Sequence, residues 1–202
     1  MSKQQINFLL SKANKSYAKR KLLRAIELSK QAMELASDEY LFDSWGDLYV
    51  IYGKSLSLKG QYESDYEALD LALEALETAK KDVDYHADLC LEVGKIYLFK
   101  KDYKNAIQYF LESLDKSREY NNHFDELSAL VALSQYYIEN QDLKMAEQYS
   151  NDAATKLLIL TASKKARIQY LQNRITLGIR QHDFDTVASD ADEVLRFKSF
   201  RK

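Results

Sequence analysis

Two lysines hold equivalent places in the chain and could do ionic chemistry. Lys54 and Lys95 are 41 residues apart, and each follows an aspartate, Asp47 or Asp88, by seven residues. A spacing of seven places the two charges on one face of a helix. The lysines therefore either hold a carboxylate of a partner or form an Asp–Lys ladder with these aspartates. Exposed ion pairs are common and weak, so the ladder is the simpler interpretation.

Residues suited to catalysis or metal binding are sparse. His86 and Cys90 are four residues apart on a predicted helix and could present two metal ligands. Cys90, however, falls at an inward-facing position, where a buried structural cysteine is expected. His123 and His182 fall at predicted turns, and the sequence has no phosphate-binding glycine loop, nucleophile elbow or metal-binding histidine pair. The sequence therefore predicts a protein that is not an enzyme and holds no metal or cofactor.

Composition favours an all-helical protein. The 202 residues contain no proline and five glycines, and 46% are hydrophobic, so helix breakers are nearly absent. A single cysteine excludes an internal disulfide and suits a reducing compartment. Because no segment is apolar enough for a signal peptide or a membrane span, we expect a cytoplasmic protein without a membrane partner.

Charge is unevenly distributed along the chain. Residues 1–30 hold eight Lys/Arg and one acid, a net charge of +7, whereas residues 31–90 hold four Lys/Arg and fourteen acids, a net charge of −10. The simplest interpretation is that the basic first segment docks beside the acidic second one. The basic stretch Lys19-Arg20-Lys21, with Arg24, raises nucleic-acid binding as an alternative. Only Tyr17 is close enough to stack on a base, so this alternative is disfavoured.

Small residues and turns recur every 40 or 41 residues, five times. Alanine or serine residues seven positions apart mark the second half of three copies: Ala25 and Ala32, Ala106 and Ser113, Ala146 and Ala153. Such a period predicts stacked supersecondary units. We place the repeats, each as two antiparallel helices, at 6–39, 46–79, 87–120, 127–160 and 168–201.

The third repeat shows the helical pattern most clearly. Its first helix presents one apolar or small face through Cys90, Val93, Gly94 and Tyr97. Asp102 follows the turn and is expected to cap the second helix, whose inner stripe is Tyr103, Ala106, Phe110 and Ser113. In the second repeat, Asp65 takes the place of Ala106, and the inner stripe is expected to include Tyr62, Leu69 and Ala72. The fifth repeat departs further, with Arg174 and Ile175 where apolar and small residues are expected.

This pattern resembles the tetratricopeptide repeat family. It is carried by Gly94-Tyr97-Tyr103-Ala106-Phe110 and by Ser134-Tyr137-Ala146-Ala153, and the resemblance covers nearly the whole chain. The repeats are six or seven residues longer than usual and lack the closing proline, as in variants found in bacterial signalling and regulatory proteins. The resemblance implies an all-α, right-handed superhelical solenoid of five helical hairpins, with about ten antiparallel helices in one domain over residues 1–202.

The resemblance also implies that the first helix of each repeat lines a concave groove for a protein or peptide partner. Polar rows in such a groove would fix a peptide backbone, and apolar rows would take its side chains. The residues expected to face the partner are Asn14, Tyr17, Asp47, Val50, Lys54, Asp88, Leu91, Lys95, Leu98, Val131, Gln135 and Ile138. The family's clamp for C-terminal carboxylates is not expected, because Leu10 and Val50 are apolar where the clamp needs polar groups.

Two functions therefore remain open. The chain is either a non-catalytic protein-binding scaffold, or a sensor or regulatory segment of a larger signalling protein, such as a transcription regulator or nucleotide cyclase, whose output domain lies outside it. The last helix carries Val187, Val194, Leu195 and Phe197 with no following helix to cover them. This favours a homodimer or a further domain at that surface.

Overall fold

The computed structural model describes residues 2–38, 45–81, 86–160 and 163–199. Its described residues form ten α-helices and no strands, so the predicted all-α, helical-hairpin fold is confirmed. The chain divides into two compact units, residues 1–100 and residues 101–202. Across the described ranges, no helix is long and apolar enough to cross a membrane.

The N-terminal unit contains five helices. They are α1 (Ser2–Ala18), α2 (Leu22–Asp38), α3 (Trp45–Glu63), α4 (Tyr66–Lys80) and α5 (Ala87–Phe99). Helices α1 and α2 pack as one hairpin and α3 and α4 as the next, while α1 also contacts α3 and α3 contacts α5. The first helices of successive hairpins thus lie side by side and form one surface, which we call the first-helix face of this unit. Beneath it, Ile6, Ala32, Ala36 and Leu48 form one core cluster.

The C-terminal unit also contains five helices. They are α6 (Tyr103–Glu119), α7 (His123–Glu139), α8 (Leu143–Ile159), α9 (Lys164–Gln181) and α10 (Phe184–Ser199). Each helix packs on the next, and α7 also contacts α9, so α7 and α9 form the first-helix face of this unit. Ile138, Ala146 and Leu177 cluster where α7, α8 and α9 meet.

The hairpin turns are built without glycine or proline. One aspartate serves both helices: the N–H of Asp142 donates to the Tyr137 carbonyl at 3.0 Å, and its Oδ1 accepts from the Met145 N–H at 3.1 Å. Asp65 and Asp183 make the same two kinds of bond. The aspartate therefore closes one helix and caps the next. The residue before each second helix's cap position is left-handed: Arg20, Ser64, Lys101, Gln141 and His182.

The second repeat corrects one alignment made from the sequence. Asp65 caps α4, so it corresponds to Asp102, which caps α6, and not to Ala106. Leu69 therefore takes the place of Ala106. Tyr62 does not belong to the inner stripe of the second helix; it lies near the end of α3 and is 68% exposed. The cause is a longer first helix, since α3 has 19 residues and α5 has 13.

Glycines in α3 compensate for the larger residues in α4. A methyl group on Gly53 would lie 2.7 Å from Leu76 Cγ, and one on Gly60 would lie 2.6 Å from Leu69 Cγ. Real side chains do not approach this closely, so both positions require glycine. In this hairpin the small residue has moved from the second helix to the first.

The remaining predicted core positions agree with the fold at most places. Cys90, Ala106, Phe110 and Ser113 are fully buried, and Asp102 accepts a hydrogen bond from the Asn105 N–H at 3.1 Å. On the last helix, Val194 is 7% exposed, whereas Leu195 is 61% exposed. Of the apolar residues expected to lie open there, Leu195 is thus the most accessible.

Candidate functional site

The predicted groove residues fall on both first-helix faces. Nine lie in the N-terminal unit: Asn14 and Tyr17 on α1, Asp47, Val50 and Lys54 on α3, and Asp88, Leu91, Lys95 and Leu98 on α5. The other three, Val131, Gln135 and Ile138, lie on α7 of the C-terminal unit. Most of the polar residues therefore share one face, that of the N-terminal unit.

Lys54 joins two first helices. Its Nζ donates to Asp88 Oδ2 at 2.5 Å, linking α3 to α5, and its side chain is only 19% exposed. Burial disfavours the ammonium charge, but the attraction of Asp88 outweighs this and raises the pKa of Lys54. Lys54 is therefore fully charged at neutral pH and is held by the inter-repeat contact that the ladder interpretation expects.

Tyr17 and Glu92 complete a polar cluster around Lys54. Burial, followed by the negative charge of Glu92, raises the pKa of the Tyr17 hydroxyl, while nearby Lys54 opposes the shift. Lys95 pairs within its own helix, with Glu92 Oε1 at 2.8 Å. The cluster thus alternates in sign and draws residues from α1, α3 and α5. The sequence reasoning missed Glu92, although its position four residues after Asp88 and three before Lys95 signals the same helix face.

The apolar positions of this face are less accessible than the sequence predicts. Leu91 is 5% exposed and Leu98 is 8% exposed, so packing between the helices covers most of their surface. Val50 is half-buried. Asn14 and Asp47 are exposed, and Asn14 Nδ2 donates to the Leu10 carbonyl of its own helix at 3.1 Å. A partner on this face would therefore meet mainly polar groups.

The C-terminal unit presents a face of amides and small polar groups. Gln135 Nε2 donates to Glu139 Oε1 at 3.1 Å, and Ser128 Oγ donates to Gln169 Oε1 at 3.3 Å. Val131 is half-buried, whereas Ile138 is 3% exposed and belongs to the core. Ile138 thus offers little surface to a partner.

A second charged cluster ties together α6, α7 and α8. Glu126 is only 3% exposed, and its carboxylate accepts from Lys156 at 2.7 Å and from Arg118 at 3.1 Å. Burial disfavours its charge, but these two donors outweigh that effect and hold the pKa of Glu126 below its usual range. The three helices are therefore joined by one ionised carboxylate. No periodic signal in the sequence marks this residue.

Comparison with known proteins follows the same architecture. Residues 85–156 match the family model for the tetratricopeptide repeat. A STAND (signal transduction ATPase with numerous domains) protein with a tetratricopeptide repeat sensor from Pyrococcus horikoshii is 22% identical, with a TM-score of 0.69, and the match covers 98% of this chain and 31% of that one. A Rap protein complexed with competence and sporulation factor is 17% identical, with a TM-score of 0.72, covering 96% and 54%.

A third structure matches over its full length. A Podosopora anserina protein with nearly identical TPR-like repeats is 12% identical, with a TM-score of 0.64, covering 98% of both chains. No curated protein matches the chain in sequence. The chain spans about a third of the STAND protein and about half of the Rap protein. Residues 85–156 are therefore tetratricopeptide repeats, as the sequence predicts, and the chain is a helical-repeat protein of the tetratricopeptide fold.

Proposed function

We propose that this chain is a non-catalytic scaffold that binds a protein or peptide segment on its first-helix faces, principally that of the N-terminal unit. The observation that carries the proposal is the polar cluster of Tyr17, Lys54, Asp88, Glu92 and Lys95. It spreads over three helices that are otherwise packed through apolar side chains. Buried or half-buried charges contribute little to stability compared with apolar packing. Their presence on one face therefore favours recognition of a polar partner.

The geometry suits an extended or helical peptide. Neighbouring first helices present polar groups at intervals along the face, from Asn14 on α1 to Asp47 on α3 and Lys95 on α5. Such groups can bond to the backbone of a peptide and pair with its charged side chains. The shared fold with a Rap protein that was solved with a bound factor supports this mode of binding.

The test is selection of ligands from a random peptide library displayed on phage, followed by measurement of Kd by fluorescence anisotropy. We expect Lys95→Glu and Asp47→Lys each to weaken a selected peptide at least about fivefold, the loss of about 1 kcal/mol usual for a contact residue. Lys104→Glu and Asp115→Lys, at exposed positions on the second helix α6, serve as matched controls. Equal affinities for all four variants, or no selected peptide, would refute binding at this face.

A second function is supported by the comparison with the STAND protein, whose repeats are described as a sensor. In that proposal the chain is the sensor or regulatory part of a larger signalling protein, and the partner is a signal or an output domain. The complete reading frame of the source transcript tests it. An additional ATPase, cyclase or DNA-binding domain in the frame would support the sensor role, and a frame restricted to these 202 residues would exclude it.

A further inference from the structure

The charge asymmetry of the sequence is not neutralised inside the N-terminal unit. Helix α2 of the basic first hairpin packs on α3 of the acidic second one, as expected. Within the described part of the chain, however, no carboxylate pairs with Lys15, Lys19, Arg20 or Lys21, which are all exposed. These four residues surround the α1–α2 turn, and we call them the basic patch.

An acidic surface of matching size lies on α4. Glu67, Asp70 and Glu74 are spaced by three and four residues and are all exposed, so they form one stripe along the helix. Asp70 pairs with Lys100, whereas Glu67 and Glu74 have no cationic partner among the described residues. We call these three residues the acidic stripe. The opposite side of α4 is buried, so this side is the one available for contact.

Each charged surface also exposes a large apolar side chain. Leu23, two residues after the basic patch, is 69% exposed. Leu71, within the acidic stripe, is 41% exposed, and Tyr66, one residue before it, is 54% exposed. Protein interfaces commonly bury apolar side chains at the centre and place charges at the rim. Both surfaces therefore have the composition of an interface.

We propose that the basic patch docks on the acidic stripe of a second copy of this chain. The two surfaces are complementary in charge, and each carries an exposed apolar residue that the contact would bury. In a two-fold dimer, each surface of one copy meets the other surface of its partner, so both contacts form at once. This association is separate from the first-helix face and does not depend on peptide binding there.

Sedimentation equilibrium measures the association directly. At high micromolar concentration and about 10 mM salt, where the Debye length is about 30 Å, we expect a mass well above the chain mass of 23.5 kDa. At about 1 M salt, where the Debye length is about 3 Å, the mass should fall towards that of one chain. The variant Lys15→Glu/Lys19→Glu/Lys21→Glu should remain monomeric in both conditions.

Charge exchange decides whether the two surfaces meet each other. The variant Glu67→Lys/Asp70→Lys/Glu74→Lys should also be monomeric alone, but an equimolar mixture of the two triple variants should associate again. The control Lys104→Glu/Lys144→Glu/Arg180→Glu reverses three exposed cations elsewhere and should associate like wild type. A wild-type mass of one chain at low salt, or no association in the mixture, would overturn the proposal. If that monomer bound labelled poly(U) RNA through the basic patch, the patch would instead be assigned to nucleic acid.

Discussion

Adding a methyl group at Gly53 should overpack the second hairpin. The new Cβ would lie 2.7 Å from Leu76 Cγ and 2.8 Å from Leu76 Cδ2, and Leu76 is fully buried. Overpacking a closed core costs about 1–3 kcal/mol, and replacing a helical glycine by alanine returns about 1 kcal/mol. We therefore expect Gly53→Ala to lower the free energy of unfolding by about 1 kcal/mol.

The double variant tests whether the cause is this contact. Leu76→Ala alone should cost about 2–5 kcal/mol, because it leaves a cavity in the core. In Gly53→Ala/Leu76→Ala the new methyl group occupies part of that cavity and no longer meets Leu76. The loss in the double variant should thus be smaller than the sum of the single losses by about 1–2 kcal/mol.

Urea unfolding followed by Trp45 fluorescence and circular dichroism measures these changes. Trp45 is the only tryptophan of the chain and begins α3, so it reports on the hairpin that carries Gly53. Leu71→Ala is the control, because Leu71 lies on α4 but is 41% exposed, and its effect should add to that of Gly53→Ala. Additivity of Gly53→Ala and Leu76→Ala within about 0.5 kcal/mol would refute the proposed packing and the alignment built on it.

Two further predictions concern buried charges in the C-terminal unit. Glu126→Gln should destabilise the protein at neutral pH by about 1–3 kcal/mol, the usual value for hydrogen bonds to a charged group. Because the folded pKa of Glu126 is depressed, its contribution is complete above the unfolded pKa and is lost as pH falls through the folded one. Urea unfolding at pH 7 and at pH 3 should therefore show a difference between wild type and variant that shrinks in acid, and a constant difference would contradict this. Asp190 lies 3.0 Å from Arg174 Nε and has a side chain only 7% exposed, so Arg174→Leu should cost about 3 kcal/mol, whereas Arg174→Leu/Asp190→Leu should be neutral or more stable. Equal melting temperatures for the single and double variants would show that the ion pair is not the cause.

The turns were predictable from the sequence and the second repeat was not. Asp102 was recognised as a cap because an aspartate before an amphipathic run satisfies free N–H groups in a way that depends only on local residues. The longer α3 is a tertiary feature. Successive hairpin turns at Arg20, Ser64, Lys101, Gln141 and His182 are 44, 37, 40 and 41 residues apart. The extra turn of helix is thus offset by a shorter following interval, and a fixed period hides it.

Burial along the first helices also depends on neighbours that the sequence does not show. Leu91 was assigned to the partner-facing surface by helical spacing, which indicates which residues share a face. Spacing does not indicate how closely the adjacent helix approaches that face. Because α3 packs on α5, Leu91 is almost completely covered, while Lys95, one turn further along the same helix, keeps 37% of its side chain exposed.

The two lysines that are equivalent in the sequence differ in what they hold in place. Lys54 reaches from α3 to Asp88 on α5, so its loss would leave a half-buried carboxylate unpaired and weaken the contact between two hairpins. Lys95 pairs with Glu92 on its own helix, so its loss breaks only a local pair of the kind that contributes little to stability. A change in partner binding caused by Lys54→Glu would therefore mix recognition with packing. Lys95→Glu separates them, because it reverses a charge on the same face and leaves the α3–α5 contact intact.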